Sequence, residues 1–428
     1  MLNRIPWRVA LCTTLMMSRG AASYDMVRDY SGLDFFSRWD FYGSYDNLTL
    51  GDVWWLDESD AFSQGLAYTD DAGHAIIKVD NKSDVAYNDK RNSVRITSQD
   101  FYDVGSLWIL DLNHIPYGCS VWPAYWTKGP TWPNDGEIDI IEQINLATFN
   151  QYALHTTSGC GQAQGSWQSG TSGVTDCSQS SGCTVGENKP NSYREGFSEA
   201  GGGVFATQFD VAGIFIWFFS RPDIPASILG ATSTSGIDIT DWGTPSAAYP
   251  SSGCNIQEFF TSQQIVIDIT LCGSWAGIPS LYQENCANEG STGLCYNDNV
   301  VGAGSPKYDE AYFDINYLRA YTTGGPAPTP SANGAFIYPH GSTVVSATAT
   351  ATSAASTMSL QPGSTGFGNP SINTSPQGGN TSEGSSGSSN STSTSGANTS
   401  MPMGMEWMDM GVFVASLVGL VLLGFVWT

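Results

Sequence analysis

Between Tyr24 and Thr323 the chain is broken into short runs of β-favouring residues by Gly, Asn, Asp and Pro turns, and no long stretch carries the 3.6-residue apolar periodicity of an amphipathic helix. Ser93-Val94-Arg95-Ile96, Leu107-Trp108-Ile109-Leu110, Ile214 to Phe219, Gln264 to Thr270 and Ala311 to Tyr321 read as strands. About 300 residues of this kind, with no repeat at a period of about 20–50 residues, predict one large antiparallel β-sandwich rather than two domains.

The flanks are not fold. Met1 to Ser23 carries Arg4 and Arg8, an apolar run from Val9 to Met17 and the small residues Gly20-Ala21-Ala22-Ser23. That is the layout of a secretory signal peptide, preferred over a buried N-terminal helix because the apolar run is short. From Gly324 to Ser400 the apolar pattern dissolves into Ser, Thr, Gly, Pro and Asn, a composition that cannot bury a core and reads as a disordered stalk. Asn-x-Ser/Thr glycosylation acceptors stand at Asn373, Asn380, Asn390 and Asn398 in the stalk, and at Asn47 and Asn81 in the body, where they should lie at the surface. Residues 401–428 end in an uncharged run, Gly411 to Trp427, with no Lys or Arg beyond it. A short terminal run after small residues and a polar spacer favours a cleaved glycosylphosphatidylinositol (GPI) signal, attached at Asn398 or at nearby Gly396 or Ala397, over a true transmembrane span. The expected location is therefore the outer face of the cell membrane or the cell wall, and the expected state a monomer.

Forty acidic against 16 basic residues give a net charge of -24, which disfavours polyanions; without Lys and Arg clusters, no nucleic acid is expected as a partner. Fourteen tryptophans suit a neutral, hydroxyl-rich ligand instead, since flat rings stack on sugars. Of nine cysteines, Cys12 falls in the leader; the remaining Cys119, Cys160, Cys177, Cys183, Cys254, Cys272, Cys286 and Cys295 allow up to four disulfides in an exported chain, in any of about 105 pairings. Zinc is disfavoured, because no Cys-x-x-Cys pair exists and only four histidines are available.

Glu137-Ile138-Asp139-Ile140-Ile141-Glu142 interleaves three acids with three isoleucines. A strand sends alternate residues to opposite faces, so Glu137 and Asp139 share one face while Ile138 and Ile140 enter the core. Strict alternation would bury Glu142; an extra, bulged residue around Ile141 returns it to the acid face. The outer α-carbons then lie ~13 Å apart, and inward-leaning side chains can approach the ~5–5.5 Å separation of a retaining glycosidase rather than the wider inverting gap. Mutual repulsion should split their pKa values, leaving one acid ionised as nucleophile and another protonated as acid, with Asp139 between them. The symmetry of the segment does not assign the two glutamates. A solvated polar strand face and a structural calcium site are the alternatives, although the proposed chemistry requires no cofactor or metal. Trp122 and Trp126 share a strand face, Trp132 shortly precedes the acids, and His155 falls on the next β-like run within reach of them.

These residues resemble glycoside hydrolase family 16, in particular the fungal endo-1,3(4)-β-glucanases of laminarinase type. The likeness runs in order through Arg91 to Ile96, His114 to Cys119, Trp122 to Trp126, Trp132 to Glu142, Leu154 to Thr156, Gly201 to Gly203, Trp217 to Arg221, Asp241 to Gly243 and Thr270 to Gly277. The resemblance implies a β-jelly-roll with a glucan-binding cleft on its concave face and hydrolysis of β-1,3 and mixed-linkage β-1,3/1,4-glucan within the chain. It also implies retention, with Glu137 as nucleophile, Glu142 as acid/base, Asp139 as helper, and Trp122, Trp126, Trp132, His155 and Trp275 against the sugar. The Glu-x-Asp-x-x-Glu spacing looks like the bulged, laminarinase-like branch. Phe197-Ser198-Glu199-Ala200 departs from the family's Asn-rich stretch. Two other functions fit the same features: wall-glucan transglycosylation by the same carboxylates, and non-catalytic glucan binding on a stalk.

Overall fold

The computed structural model describes residues Ser23–Thr323 and, beyond them, the short strands Thr329–Pro330, Phe336–Ile337 and Val344–Ser346. The leader, the remainder of the stalk, the Gly411 to Trp427 run and the acceptors Asn373, Asn380, Asn390 and Asn398 lie outside the described residues. No helix among the described residues is long and apolar enough to cross a membrane.

Two large antiparallel sheets form a β-sandwich of jelly-roll type. In one, the path runs Ile237–Asp238, Ser23–Ser31, Tyr312–Thr323, Ser106–His114, Gly203–Asp210, Gly213–Ser220 and Ala247–Pro250, with Ala75–Lys78 and Ala67–Thr69 branching from it. The other is eight-stranded, in the order Thr171–Ser172, Cys183–Gly186, Gln151–His155, Glu137–Glu142, Val121–Lys128, Gln264–Leu271, Arg95–Ser98 and Trp39–Phe41. Their facing residues make one core: Trp108, Leu110, Phe205 and Phe218 from the first sheet meet Ile138, Tyr152, Leu154, Ile265, Ile267 and Ile269 from the second. The first sheet is apolar on its other face as well, where Leu107, Ile109, Trp217 and Phe219 are covered by Ile224, Ile228, Ile237 and Trp242. That double burial explains why Leu107 to Leu110 and Ile214 to Phe219 are unbroken apolar runs while the acid segment alternates.

The expected strand Ser93 to Ile96 is two strands. Arg91–Ser93 pairs in parallel with Val53–Trp55, and Arg95–Ser98 joins the eight-stranded sheet. Arg91 causes the divergence: its buried guanidinium donates to the carbonyls of Asp80, Ser83, Val300 and Gly302 at 2.7–3.1 Å, tying this stretch to a separate loop cluster.

All eight body cysteines pair, as Cys119–Cys286, Cys160–Cys254, Cys177–Cys183 and Cys272–Cys295. Cys119 and Cys272 flank the registered pair Val121 and Leu271, so Cys119–Cys286 pins the end of the helix Pro279–Cys286, and Cys272–Cys295 the segment that follows it, to one end of the eight-stranded sheet. Neither body acceptor is fully exposed. Asn47 and Asn81 are half-buried; Asn47 accepts from the Tyr42 hydroxyl at 2.6 Å, and the Asn81 amide donates to Asp309 at 2.7 Å.

Candidate active site

The strand Glu137–Glu142 contains the expected bulge. Against the Val121–Lys128 strand, Tyr125 opposes Ile141 and Trp126 opposes Asp139, so Ile140 has no opposite number. Against Gln151–His155, Asp139 opposes Ala153 and Glu142 opposes Gln151, leaving Ile140 and Ile141 across from Tyr152 alone. Both isoleucines are buried in the core, and Glu142 returns to the face of Glu137 and Asp139. A bulge strands backbone groups. Here fully buried Asn150 satisfies them: its Nδ2 donates to the Ile140 carbonyl at 2.8 Å, and its Oδ1 accepts the Glu142 N–H at 3.1 Å. Asn150 is itself held by the Ser192 hydroxyl, which accepts its backbone N–H at 3.0 Å. At the other end of the strand, Gly136 has φ +78°, and a Cβ there would overlap the Phe260 ring, so the sharp entry into Glu137 requires glycine.

Asp139 is 2% exposed, and Glu137 and Glu142 are half-buried. His155 opposes Glu137 in register and places Nε2 3.3 Å from Asp139 Oδ2. Burial raises all three carboxyls above their ordinary values. Glu137 is pushed up to about 8 by burial and then by the Asp139 charge, Asp139 to about 6 by burial and Glu142, and Glu142 to about 7 by burial. Burial opposes the His155 cation, but Asp139, Glu137 and Glu142 together outweigh it and raise this group to about 10. The expected split, with one acid raised and the nucleophile left ordinary, is therefore not what the free protein has; desolvation acts on every member of the set. Burial and the neighbouring Asp139 charge both favour the protonated form of Glu137, while the His155 cation favours its carboxylate.

The tryptophans differ in role. Trp122 is 8% exposed, and its Nε1 donates to Glu142 Oε1 at 2.9 Å, so it holds that carboxylate more than it offers a ring face. The half-buried Trp275 packs edge-on against it at 5.4 Å. Trp126 donates to Asp268 at 3.1 Å and has the Arg95 guanidinium over its ring at 5.0 Å. Trp132 is 43% exposed and beside Glu137, the most open ring of the set. Sequence reasoning missed Asn150, Arg95 and Asp268. Arg95 and Asp268 form an ion pair at 3.2 Å, both almost fully buried, on the acid face of neighbouring strands. A signal for Asp268 was present: one acid at an alternate position of the apolar run Ile265-Val266-Ile267-Asp268-Ile269, the pattern that marked Asp139.

Glu137, Asp139 and His155 bring ligand atoms within 4.8 Å of one another. Calcium takes 6–8 oxygen ligands, so two carboxylates with a charged imidazole do not fit it, whereas they do fit proton transfer.

Several raised carboxylates on one exposed sheet face, flanked by indoles, define a sugar-cleaving acid/base enzyme on a β-sandwich, a glycoside hydrolase. The family model for the XgeA-like, catalytic GH16 domain matches residues 39–321. The chain belongs to glycoside hydrolase family 16. It is 37% identical over 308 residues to a probable glycosidase of Schizosaccharomyces pombe, covering 70% of each chain. It is 35% identical over 317 residues to the endo-1,3(4)-β-glucanase xgeA of Emericella nidulans, covering 73% of this chain but 49% of that one. Among solved structures, laminarinase 16A of Phanerochaete chrysosporium, with 6-O-glucosyl-laminaritriose in donor and acceptor sites, has a TM-score of 0.66 at 32% identity. An elongating family 16 β-1,3-glucosyltransferase has 0.64 at 37%; each likeness covers 70% of this chain and all of the other.

Proposed function

We propose that the protein is an endo-acting, retaining glycosidase that hydrolyses β-1,3 and mixed-linkage β-1,3/1,4-glucans through a covalent glycosyl-enzyme. The observation that carries this reading is the bulge that returns Glu142 to the face of Glu137 and Asp139. Glu137 attacks the anomeric carbon while Glu142 protonates the departing glycosidic oxygen; Glu142 then takes a proton from water, which attacks the same carbon and releases Glu137. Asp139, paired with His155, accepts the proton that Glu137 must shed. Trp126, Trp132 and Trp275 border the sugar, with Trp122 steadying Glu142. No cofactor takes part in these steps.

Export and a surface tether complete the proposal. A leader at 1–23, six Asn acceptors, a stalk and a GPI signal attached at Asn398 would hold a monomeric catalytic body at the cell surface or wall, where β-glucan is the partner. Transglycosylation is the second reading, favoured by the 37% identity to the elongating glucosyltransferase. The test is sugar release from laminarin and mixed-linkage glucan by purified 24–323 body and by Glu137→Ala and Glu142→Ala. Loss of about 10³-fold or more in both is expected, and β-anomeric product should appear first by NMR. Undiminished release from both variants, or initial α product, contradicts the mechanism.

A further inference from the structure

A second group of open aromatic rings lies off the catalytic face, on the three-stranded sheet of Ser44–Tyr45, Val53–Trp55 and Arg91–Ser93. Alternation along these strands gives the sheet two faces. Trp55 and Ser93, paired in register, turn inward, and both donate to the Ile269 carbonyl, at 3.1 and 2.6 Å. Trp54 pairs with Tyr45 on one side and Asn92 on the other, so these three point the opposite way. Trp54 is 43% exposed and Tyr45 50%, with ring centroids 6.4 Å apart. A third ring stands nearby. Asn88, at φ +74°, closes a turn in which the Asp89 N–H donates to the Ala86 carbonyl at 3.1 Å, and that turn presents Tyr87 at 64% exposure. Tyr296 braces Tyr87 edge-on at 5.9 Å and donates its hydroxyl to the Asp89 carbonyl at 2.9 Å. Large apolar groups left open and gathered in one place mark an interaction surface.

Trp54 and the Tyr87 turn border a cavity of about 380 Å³, lined by Trp54, Asp84, Ala86, Asp89, Lys90 and Asn92 among others. Its size falls within the ~300–1,000 Å³ range of small-ligand sites, and no member of the catalytic set lines it. Lys90 is the one cation of the lining and is already engaged: its Nζ donates to the Gly51 carbonyl at 2.7 Å and lies 3.6 Å from Asp52. An anionic ligand therefore finds no partner here. Asp84 and Asp89 are exposed carboxylates, which accept hydroxyl protons. The Asn92 amide donates to Gln64 at 2.8 Å and keeps its carbonyl oxygen as a further acceptor. Rings set around hydroxyl acceptors suit a neutral sugar, whose apolar face stacks while its hydroxyls donate.

We propose that Tyr45, Trp54, Asn92 and Tyr87 form a non-catalytic holding site for polymeric β-glucan, separate from the cleft. The sugar class follows from the rings and acceptors; that the sugar is β-glucan rests on the glycosidase reading. The separation follows from the strand. Trp55, on the inner side, meets Arg95 of the acid face at 5.2 Å, and Trp54 points away from it. No bond is made or broken at this site. A polymer gripped on the outer face keeps the protein on its substrate while the cleft releases one cut chain and takes up the next, which raises the effective concentration of cleavable bonds. A short soluble oligosaccharide, which fills the cleft alone, gains nothing from it.

Trp54→Ala and Tyr87→Ala each remove one exposed ring from the full-length protein, and an unaltered melting temperature shows that the variants fold. Binding to insoluble β-1,3-glucan particles is measured in a Glu137→Ala background, so that the particles are not consumed, and kcat/KM on a soluble β-1,3-glucopentaose is measured with Glu137 in place. The particle Kd is expected to rise about fivefold or more with either substitution, the worth of one stacked ring. Trp54→Phe, which keeps a ring, is expected to retain most of the binding, and kcat/KM on the pentasaccharide to stay unchanged throughout. Unaltered particle binding overturns the holding site. A parallel fall in kcat/KM on the pentasaccharide overturns it too, because it places these rings in the cleft. No cleavage of the pentasaccharide by wild type counts against the glycosidase reading itself. In that event particle binding alone decides the holding site: weakened binding in both variants supports it, and unchanged binding ends it.

Discussion

His155 controls the protonation of the acid face from within. It reaches Asp139 at 3.3 Å, and its positive charge lowers the pKa values of Glu137 and Glu142, against the burial that raises them. Its placement depends on Gly182, at φ +66°, where a Cβ would lie 2.9 Å from Nε2. Replacing the imidazolium by a neutral group removes a term that favours both carboxylates. His155→Gln is therefore expected to move both limbs of the kcat/KM profile to higher pH, by about one unit. An unchanged or acid-shifted profile shows that His155 is not charged in the free protein. The histidine was legible in the sequence only as a residue in reach of the acids; its partner and charge follow from a register that one chain read alone does not fix.

The bulge is the element on which the site depends, and Asn150 is its clamp. Asn150→Ala leaves the Ile140 carbonyl and the Glu142 N–H without their buried partner, a cost of about 2–3 kcal/mol. Misplacement of Glu142 should lower kcat about 10²-fold with a smaller change in KM, in protein whose circular dichroism stays that of a β-sandwich. A stability loss without a kcat effect would make the clamp merely structural. The need for a bulge was readable because alternation would otherwise bury Glu142. Asn150 was not, since a polar residue in a turn before a strand is an ordinary thing to find. The division at Val94 escaped for a similar reason: β-favouring residues do not announce which sheet they join, and Arg91 settled it through carbonyls distant in the chain. Asp268 is legible in the sequence, because an acid within an apolar strand carries its own signal.

Across the whole molecule, the site sets a pH dependence of one sign. Carboxyls raised from ordinary values of 4.5 and 3.8 keep protons in the folded state that the unfolded chain releases, so their contribution to stability falls as pH rises from about 4 to about 8. His155, raised from 6.5 to about 10, contributes stability that is whole below 6.5 and is lost towards 10. Glu142→Gln removes one buried ionisation, so its melting temperature should exceed that of wild type by a margin that grows between pH 5 and pH 8; a constant or shrinking margin contradicts the account. The sandwich itself was readable from the strand pattern, and the disulfide count from parity, but the pairing required the two sheets to be in place. The two glutamates divide the chemistry between them, and azide rescue with an activated β-glucoside tells their roles apart. In Glu137→Ala, azide replaces the missing nucleophile and should yield the α-glycosyl azide; in Glu142→Ala it attacks the intact glycosyl-enzyme and should yield the β-azide. The reverse pairing of anomers would contradict the assignment.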